Sequence, residues 1–222
     1  MSLALVMADL FDASPDQRPP REQMADGAVL LRGYARSVDT QLISDVREIV
    51  AQAPFRQTQT PGGHQMSVAM TNCGEVGWVT DRGGYRYDPV DPATGRPWPA
   101  IPKSFVQLAA EAAAAGGFAD FEPDACLINR YAPGARMSRH QDRDEREFAA
   151  PIVSVSLGLP AVFLFGGLKR SDRPARYRLE HGDVVVWGGP SRLAFHGVAP
   201  LADGDHALIG RQRINLTFRT AL

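Results

Sequence analysis

Arg213-Ile214-Asn215-Leu216-Thr217-Phe218-Arg219 alternates polar and apolar residues without a break, and few structures satisfy that alternation. In a strand, successive side chains point to opposite faces, so Ile214, Leu216 and Phe218 line one face and Arg213, Asn215, Thr217 and Arg219 the other. The apolar face reads as core. Burying a second face with two guanidiniums and an amide is costly without a partner, and the bidentate fork of arginine suits a carboxylate. The run predicts a sheet packed on one side that binds something anionic on the other.

From Ala125 onward, short apolar runs separated by turn residues lead up to it: 125–131, 152–158, 161–165, 176–179, 183–187 and 193–198. Leu159-Pro160 and His181-Gly182 make compact turns between neighbouring runs, as in the antiparallel strands of a double-sheet jelly roll. The N-terminal half is mixed. Residues 29–34 read as a first strand, and Asp39 or Thr40 as the cap of a helix carrying Leu42, Ile43, Val46, Ile49 and Val50 at helical spacing. A second helix is expected over 104–115, ended by Gly116-Gly117. Residues 61–99, rich in Gly, Pro, Asp and aromatics, read as a lid or binding loop with a short strand candidate at 66–71. Pro15, Pro19 and Pro20 break any regular pattern, so 1–27 reads as an irregular lead-in and 28–222 as one domain, with 61–99 as its lid. At 222 residues and 44% hydrophobic content, one sizeable core is the expectation.

Chemistry enters with His140-Gln141-Asp142. Residues i and i+2 share one side of a strand, and His196 is expected to reach them from a partner strand. Two imidazoles and a carboxylate can occupy one face of an octahedral iron and leave the other face open, the arrangement of non-heme Fe(II) oxygenases. His64, His181 and His206 are competing imidazoles. His181 in a Glu-His-Gly-Asp turn and His206 in an Asp-Gly-Asp-His loop suit solvated or turn-stabilising roles, and His64 beside Gly62-Gly63 fits either kind of role.

These segments together resemble the AlkB family of iron- and 2-oxoglutarate-dependent dioxygenases that repair alkylated nucleic acid, its bacterial members above all. The matching stretches are Asn129-Arg130-Tyr131-Ala132-Pro133-Gly134, His140-Gln141-Asp142, 151–167, 183–189, His196, Arg213–Arg219, Pro61-Gly62-Gly63 and 66–78. The R-x-N-x-T-x-R run is far more specific than the metal triad. Residues 1–20 have no evident counterpart, and the sequence lacks a basic tail.

The resemblance implies a mainly β (α+β) fold: a double-stranded β-helix, or jelly roll, with flanking helices and a nucleotide-recognition lid. It implies Fe(II) held by His140, Asp142 and His196 as the catalytic centre. It also implies 2-oxoglutarate as cosubstrate, with Arg213 on its distal carboxylate helped by Asn129 and Tyr131, Arg219 nearer the metal-bound end, and Asn215 between. The reaction implied is oxidative demethylation of 1-methyladenine and 3-methylcytosine in DNA, releasing formaldehyde, succinate and carbon dioxide. A base that leaves its stack needs an aromatic platform. The resemblance points to Trp78 for that role, to Tyr85, Tyr87 and Arg170 as contacts around the lesion, and to Asp144 against the base. A carboxylate there favours a cationic methylated base over its neutral parent.

Plainer roles are open to the same residues. Trp78 also suits a core plug, Arg170 a solvated cation, Asp144 one charge of the run 142–147, and Asn129 and Tyr131 ordinary strand positions. Asp183 and Trp187 suit turn and core roles, with Trp187 a candidate wall of the pocket. Two other functions stand beside the dealkylase: a 2-oxoglutarate-dependent hydroxylase of a small molecule or protein, and a non-enzymatic module that binds damaged nucleic acid.

The formal charge of −1 and a pI near 6.5 exclude global attraction to nucleic acid. Contact with alkylated DNA, or with RNA, then depends on a local basic patch, and single strand is the expected form because it needs less unpairing. Cys73 and Cys126 lack metal-type spacing and suit free thiols in a reducing cytoplasm. Residues 1–7 are apolar but short and without a basic flank, which fits neither a signal peptide nor a membrane span. Nothing in the sequence calls for more than a monomer.

Overall fold

The structure is a computed structural model that describes residues 18–222, so the expectations for 1–17 lie outside the described residues. The chain runs through β1 (Arg21–Ala25), β2 (Ala28–Leu31), α1 (Asp39–Gln52), β3 (Ala69–Gly74), β4 (Gly77–Asp81), β5 (Gly84–Asp88), β6 (Val90–Asp91), β7 (Arg96–Pro97) and α2 (Lys103–Ala115). It continues with β8 (Ala125–Tyr131), β9 (Met137–His140), β10 (Ile152–Gly158), β11 (Ala161–Phe165), β12 (Ala175–Leu179), β13 (Val184–Trp187), β14 (His196–Val198) and β15 (Arg213–Arg219).

A seven-stranded sheet of order β1-β2-β13-β10-β15-β8-β3 packs on a four-stranded sheet of order β12-β11-β14-β9, with antiparallel pairing throughout. This is the expected jelly roll. Period-two alternation sorts the large sheet's side chains between two cores. Ile214, Leu216 and Phe218 of β15 join Val153, Val155 and Val186 and the apolar faces of α1 and α2 in one cluster. Leu127 and Tyr131 of β8 and Trp187 of β13 point the other way, to meet Phe163 and Phe165 of the small sheet. The polar face of β15 lies on this inner side, between the sheets.

Several boundaries differ from the sequence reading. The lead-in is not irregular throughout: Arg21–Ala25 forms an edge strand paired with the buried β2, and because this edge strand is half-exposed it carries no apolar periodicity. Neither Asp39 nor Thr40 caps α1, whose N-cap is Val38 without a side-chain hydrogen bond; the Asp39 carboxylate instead accepts from Thr40 and from His181 Nε2 at 2.9 Å each. Within 61–99, Ala69–Gly74 is the outer strand of the large sheet, paired with β8. What 61–99 leaves outside the large sheet is the turn before β3 and the hairpins β4–β5 and β6–β7.

Candidate active site

His140 closes β9 and His196 opens β14, and the ladder between these strands pairs the two residues directly. The strands approach closely because Gly197 has no side chain: a Cβ there would lie 2.7 Å from the Met137 carbonyl oxygen. Asp142 is not on the strand, as the H-x-D spacing predicted, but two residues beyond its end. That segment is pinned by Arg192, which donates to the Asp142 carbonyl at 2.9 Å, and by Gln141, whose amide donates to the Leu193 carbonyl at 2.7 Å. The outcome is still convergence. One ligand atom from each of His140, Asp142 and His196 lies within 4.8 Å of the others.

The ring orientations favour a metal. His140 Nδ1 lies 2.9 Å from the Ser138 carbonyl and His196 Nδ1 3.0 Å from the Ala194 carbonyl. Each Nδ1 therefore carries the proton, and each Nε2 presents its lone pair beside Asp142. Burial works against a proton on His196, and so does the neighbouring His140, so its pKa falls to about 4. For His140, burial is outweighed by the hydrogen bond and charge of Asp142, and its pKa rises. Burial would also raise that of Asp142, but the Arg219 guanidinium and both imidazoles hold it well below the usual carboxylate range.

The polar face of β15 lines a slot between the sheets with Asn129, Tyr131, Ser154 and Trp187. At one end, Arg219 donates to Asp142 Oδ2 from Nη2 at 2.6 Å and from Nε at 3.0 Å. Midway, the Asn215 amide donates to Ser154 Oγ at 2.8 Å, and its oxygen accepts from Thr217 at 3.0 Å. Asn129 lies at hydrogen-bond distance, 3.4 Å, from the same oxygen. At the far end Arg213 is 1% exposed, donates from Nη2 to Ser156 Oγ at 3.0 Å and lies over the Tyr131 ring at 5.0 Å. Its Nε and Nη1 are buried with no partner, as is Asn129 Oδ1. Bare buried donors on a guanidinium are expensive. A carboxylate end of a small dicarboxylate fits them, and the donor set of the triad fits iron.

On the other side of the triad, a cavity of about 920 Å³ opens to solvent between the β4–β5 hairpin and the sheet edge. Trp78, Tyr85, Tyr87, Asp144 and Arg170 all line it, together with His140 and Asp142. Trp78 stacks on Tyr85 with ring centroids 5.5 Å apart, and its indole N–H donates to Asp144 at 2.8 Å. Arg170 lies over Phe195. The Tyr87 hydroxyl is committed to Glu145 at 2.7 Å. Among the competing imidazoles, His181 accepts from Gly158 N–H and donates to Asp39, and His206 stacks on it at 4.4 Å. Both sit apart from the triad, whereas His64 lines the outer cavity. Asp183 accepts from Gly33, Glu180 and Arg32, a structural role.

Sequence reasoning passed over Glu145 and Arg192. Their side chains are 2% and 3% exposed and lie 3.3 Å apart, yet Glu145 looks like one more charge in the run 142–147, and Arg192 follows a glycine-proline turn without periodicity.

Residues 27–219 match the family described as the 2OG-Fe(II) oxygenase superfamily. The chain is 61% identical to the "Alpha-ketoglutarate-dependent dioxygenase AlkB" of Escherichia coli (strain K12), over 97% of this chain and 98% of that protein. This match reaches into residues 1–20, for which the sequence reading found no counterpart. Over 46% of its length the chain is 35% identical to the "tRNA demethylase abh1" of Schizosaccharomyces pombe, covering 38% of that protein. The solved structure of OsALKBH1 superposes with a TM-score of 0.79 at 28% identity, covering 90% of this chain and all of that one.

Proposed function

This chain belongs to the AlkB family within the 2OG-Fe(II) oxygenase superfamily, and from that premise we propose that it removes methyl groups oxidatively from alkylated bases of DNA. It is a dioxygenase dependent on Fe(II) and 2-oxoglutarate. Relatives named as demethylases act on tRNA and on DNA, which supports a nucleic-acid substrate here. The observation that carries the reading is the meeting of two sites at one triad. A buried slot ends in unpartnered Arg213 donors, and an open cavity is floored by His140 and walled by an aromatic pair.

When bound, the iron and its keto-acid cosubstrate supply the oxidising power; the chain's own residues bind, orient and exclude. His140, Asp142 and His196 hold the metal, and Arg219 keeps Asp142 ionised and oriented. Arg213, Asn129 and Tyr131 would hold the far carboxylate of 2-oxoglutarate, with Asn215 as a further polar group of the same slot. Trp78 and Tyr85 offer a face for an unstacked base, and the Asp144 carboxylate at the edge of that face favours a cationic one. Arg136, Arg139, Arg143 and Arg170 line the cavity, a local basic rim on a chain of charge −1, suited to flanking phosphates. We read the preferred substrate as single-stranded, with 1-methyladenine and 3-methylcytosine as the lesions and RNA as a further candidate.

The enzyme is read as a monomer of the cytoplasm, a single domain over 28–222 built around this site, to whose sheet Arg21–Ala25 adds an edge strand. Its two cysteines are free and buried, and among the described residues no helix is long and apolar enough to cross a membrane.

The test is a short oligonucleotide carrying 3-methylcytosine, incubated with Fe(II) and 2-oxoglutarate, with and without a chelator. Loss of one methylene mass that depends on both cofactors is the expected result. Succinate formation that no alkylated oligonucleotide stimulates, and that Trp78→Ala leaves unchanged, would instead identify a small-molecule or protein hydroxylase.

A further inference from the structure

Two side-chain hydrogen bonds tie the β4–β5 hairpin to the segment that follows Asp142. One is Trp78 to Asp144 at 2.8 Å, on the exposed side. The other runs inward: the Tyr87 hydroxyl donates to Glu145 Oε1 at 2.7 Å. Glu145 is a buried carboxylate in a place where charge is costly. Its Oε2 lies 3.3 Å from Arg192, and its Oε1, the atom that accepts from Tyr87, lies 3.2 Å from Arg219 Nε. Arg219 in turn donates twice to Asp142 Oδ2. Three contacts thus run without a gap from the hairpin to a carboxylate of the triad.

We infer that Glu145 is a positioning residue through which the seating of the β4–β5 hairpin over the outer cavity fixes the Arg219 guanidinium, and with it the orientation of Asp142 toward the metal. The physical basis is competition for one cation. Asp142 and Glu145 both draw on Arg219, and the Tyr87 hydroxyl satisfies part of Glu145's demand. A seated hairpin leaves the guanidinium plane aligned with Asp142. A lifted hairpin lets Glu145 pull Arg219 Nε away, and the carboxylate loses its fixed orientation. Partners one step removed from a metal ligand commonly change metal affinity by about 10–100-fold. The inference rests on reading the hairpin as a substrate lid, and it implies that an occupied lid and a well-ordered metal centre occur together.

The test needs no nucleic acid. Full-length protein is loaded with Co(II) and 2-oxoglutarate, and the decay of the cobalt absorption bands is followed after a chelator is added. Tyr87→Phe loses one hydroxyl and keeps the ring, so the fold is retained; metal release should speed up a few-fold. Glu145→Gln removes the competing charge, so its metal release should be no faster than in the wild type. Because Tyr87 acts through Glu145, the double variant should release metal no faster than Glu145→Gln alone. Unchanged or slower release in Tyr87→Phe overturns the inference, and so do effects that multiply in the double variant. If Glu145→Gln does not fold, Tyr87→Phe alone decides. Failure of the nucleic-acid reading would show separately, as wild-type protein that releases no formaldehyde from a methylated oligonucleotide.

Discussion

Replacing Arg213 with methionine should make the cofactor-free protein more stable and nearly blind to 2-oxoglutarate. The guanidinium is 1% exposed, makes a single side-chain hydrogen bond, to Ser156, and leaves Nε and Nη1 bare. Burial disfavours its charged form. Replacing buried charge with an apolar group of similar volume often stabilises by about 1–4 kcal/mol. For a domain of this size, a gain of about 2 kcal/mol raises Tm by roughly 4–8 °C. The same change removes two charge-assisted hydrogen bonds to the distal carboxylate, each about 1.5–3 kcal/mol, or roughly two to four orders of magnitude in affinity. At a cosubstrate concentration about 100 times the wild-type Kd, the wild type gains about 2.7 kcal/mol, whereas the variant gains well under ~0.5 kcal/mol. Differential scanning fluorimetry with Mn(II), with and without 2-oxoglutarate, should therefore show the two stabilities crossing over. An Arg213→Met protein that is less stable without ligand, or that keeps the wild-type shift with it, would refute the reasoning.

Three further outcomes follow from the same geometry. Protons compete with metal for imidazole, so metal affinity falls as pH is lowered; because His140 has a raised pKa and His196 one of about 4, binding should release one proton between roughly pH 4.5 and 6 and two only below that. Calorimetric Co(II) titrations in buffers of different ionisation enthalpy count these protons, and two at pH 5.5 would contradict the assignment. Asp144 is exposed and touches the Trp78 indole rather than the triad, so Asp144→Ala should keep metal affinity while kcat/KM for cationic 3-methylcytosine drops about tenfold or more. The loss should be smaller for a neutral lesion such as 1-methylguanine; equal losses on both would remove the charge argument. Gly158 has φ +89°, and a Cβ there would lie 2.3 Å from Ile209 Cδ1 and 2.5 Å from the Gln212 carbonyl oxygen. Gly158→Ala should therefore cost about 3 kcal/mol and lower Tm by roughly 6–12 °C, read by thermal melting monitored with circular dichroism.

Strong local period was enough to find β8, β10, β11 and β15, whose observed limits coincide with the apolar runs in the sequence. Weak period hid others. β9 reads Met-Ser-Arg-His and β1 Arg-Glu-Gln-Met-Ala, edge strands with no continuous apolar face, so their strand character comes from the neighbours they pair with. The iron ligands were legible because their identity and spacing carry chemistry, although Asp142 reaches the site from beyond the strand. Glu145 and Arg192 were not, since their significance lies in contacts with partners 42 or more residues away.

The sequence by itself determined the strand period, the ligand types and the polar, arginine-bearing face of β15, because each is a property of residues close together in the chain. Only the tertiary structure decided that Arg213 would be left with bare donors in a buried slot, that Asp142 would be shared between two imidazoles and Arg219, and that Glu145 would join the β4–β5 hairpin to them. Those outcomes depend on which strands lie side by side and on which polar atoms packing removes from water. Burial and partner choice are set by the whole fold at once, and no local stretch of residues encodes them.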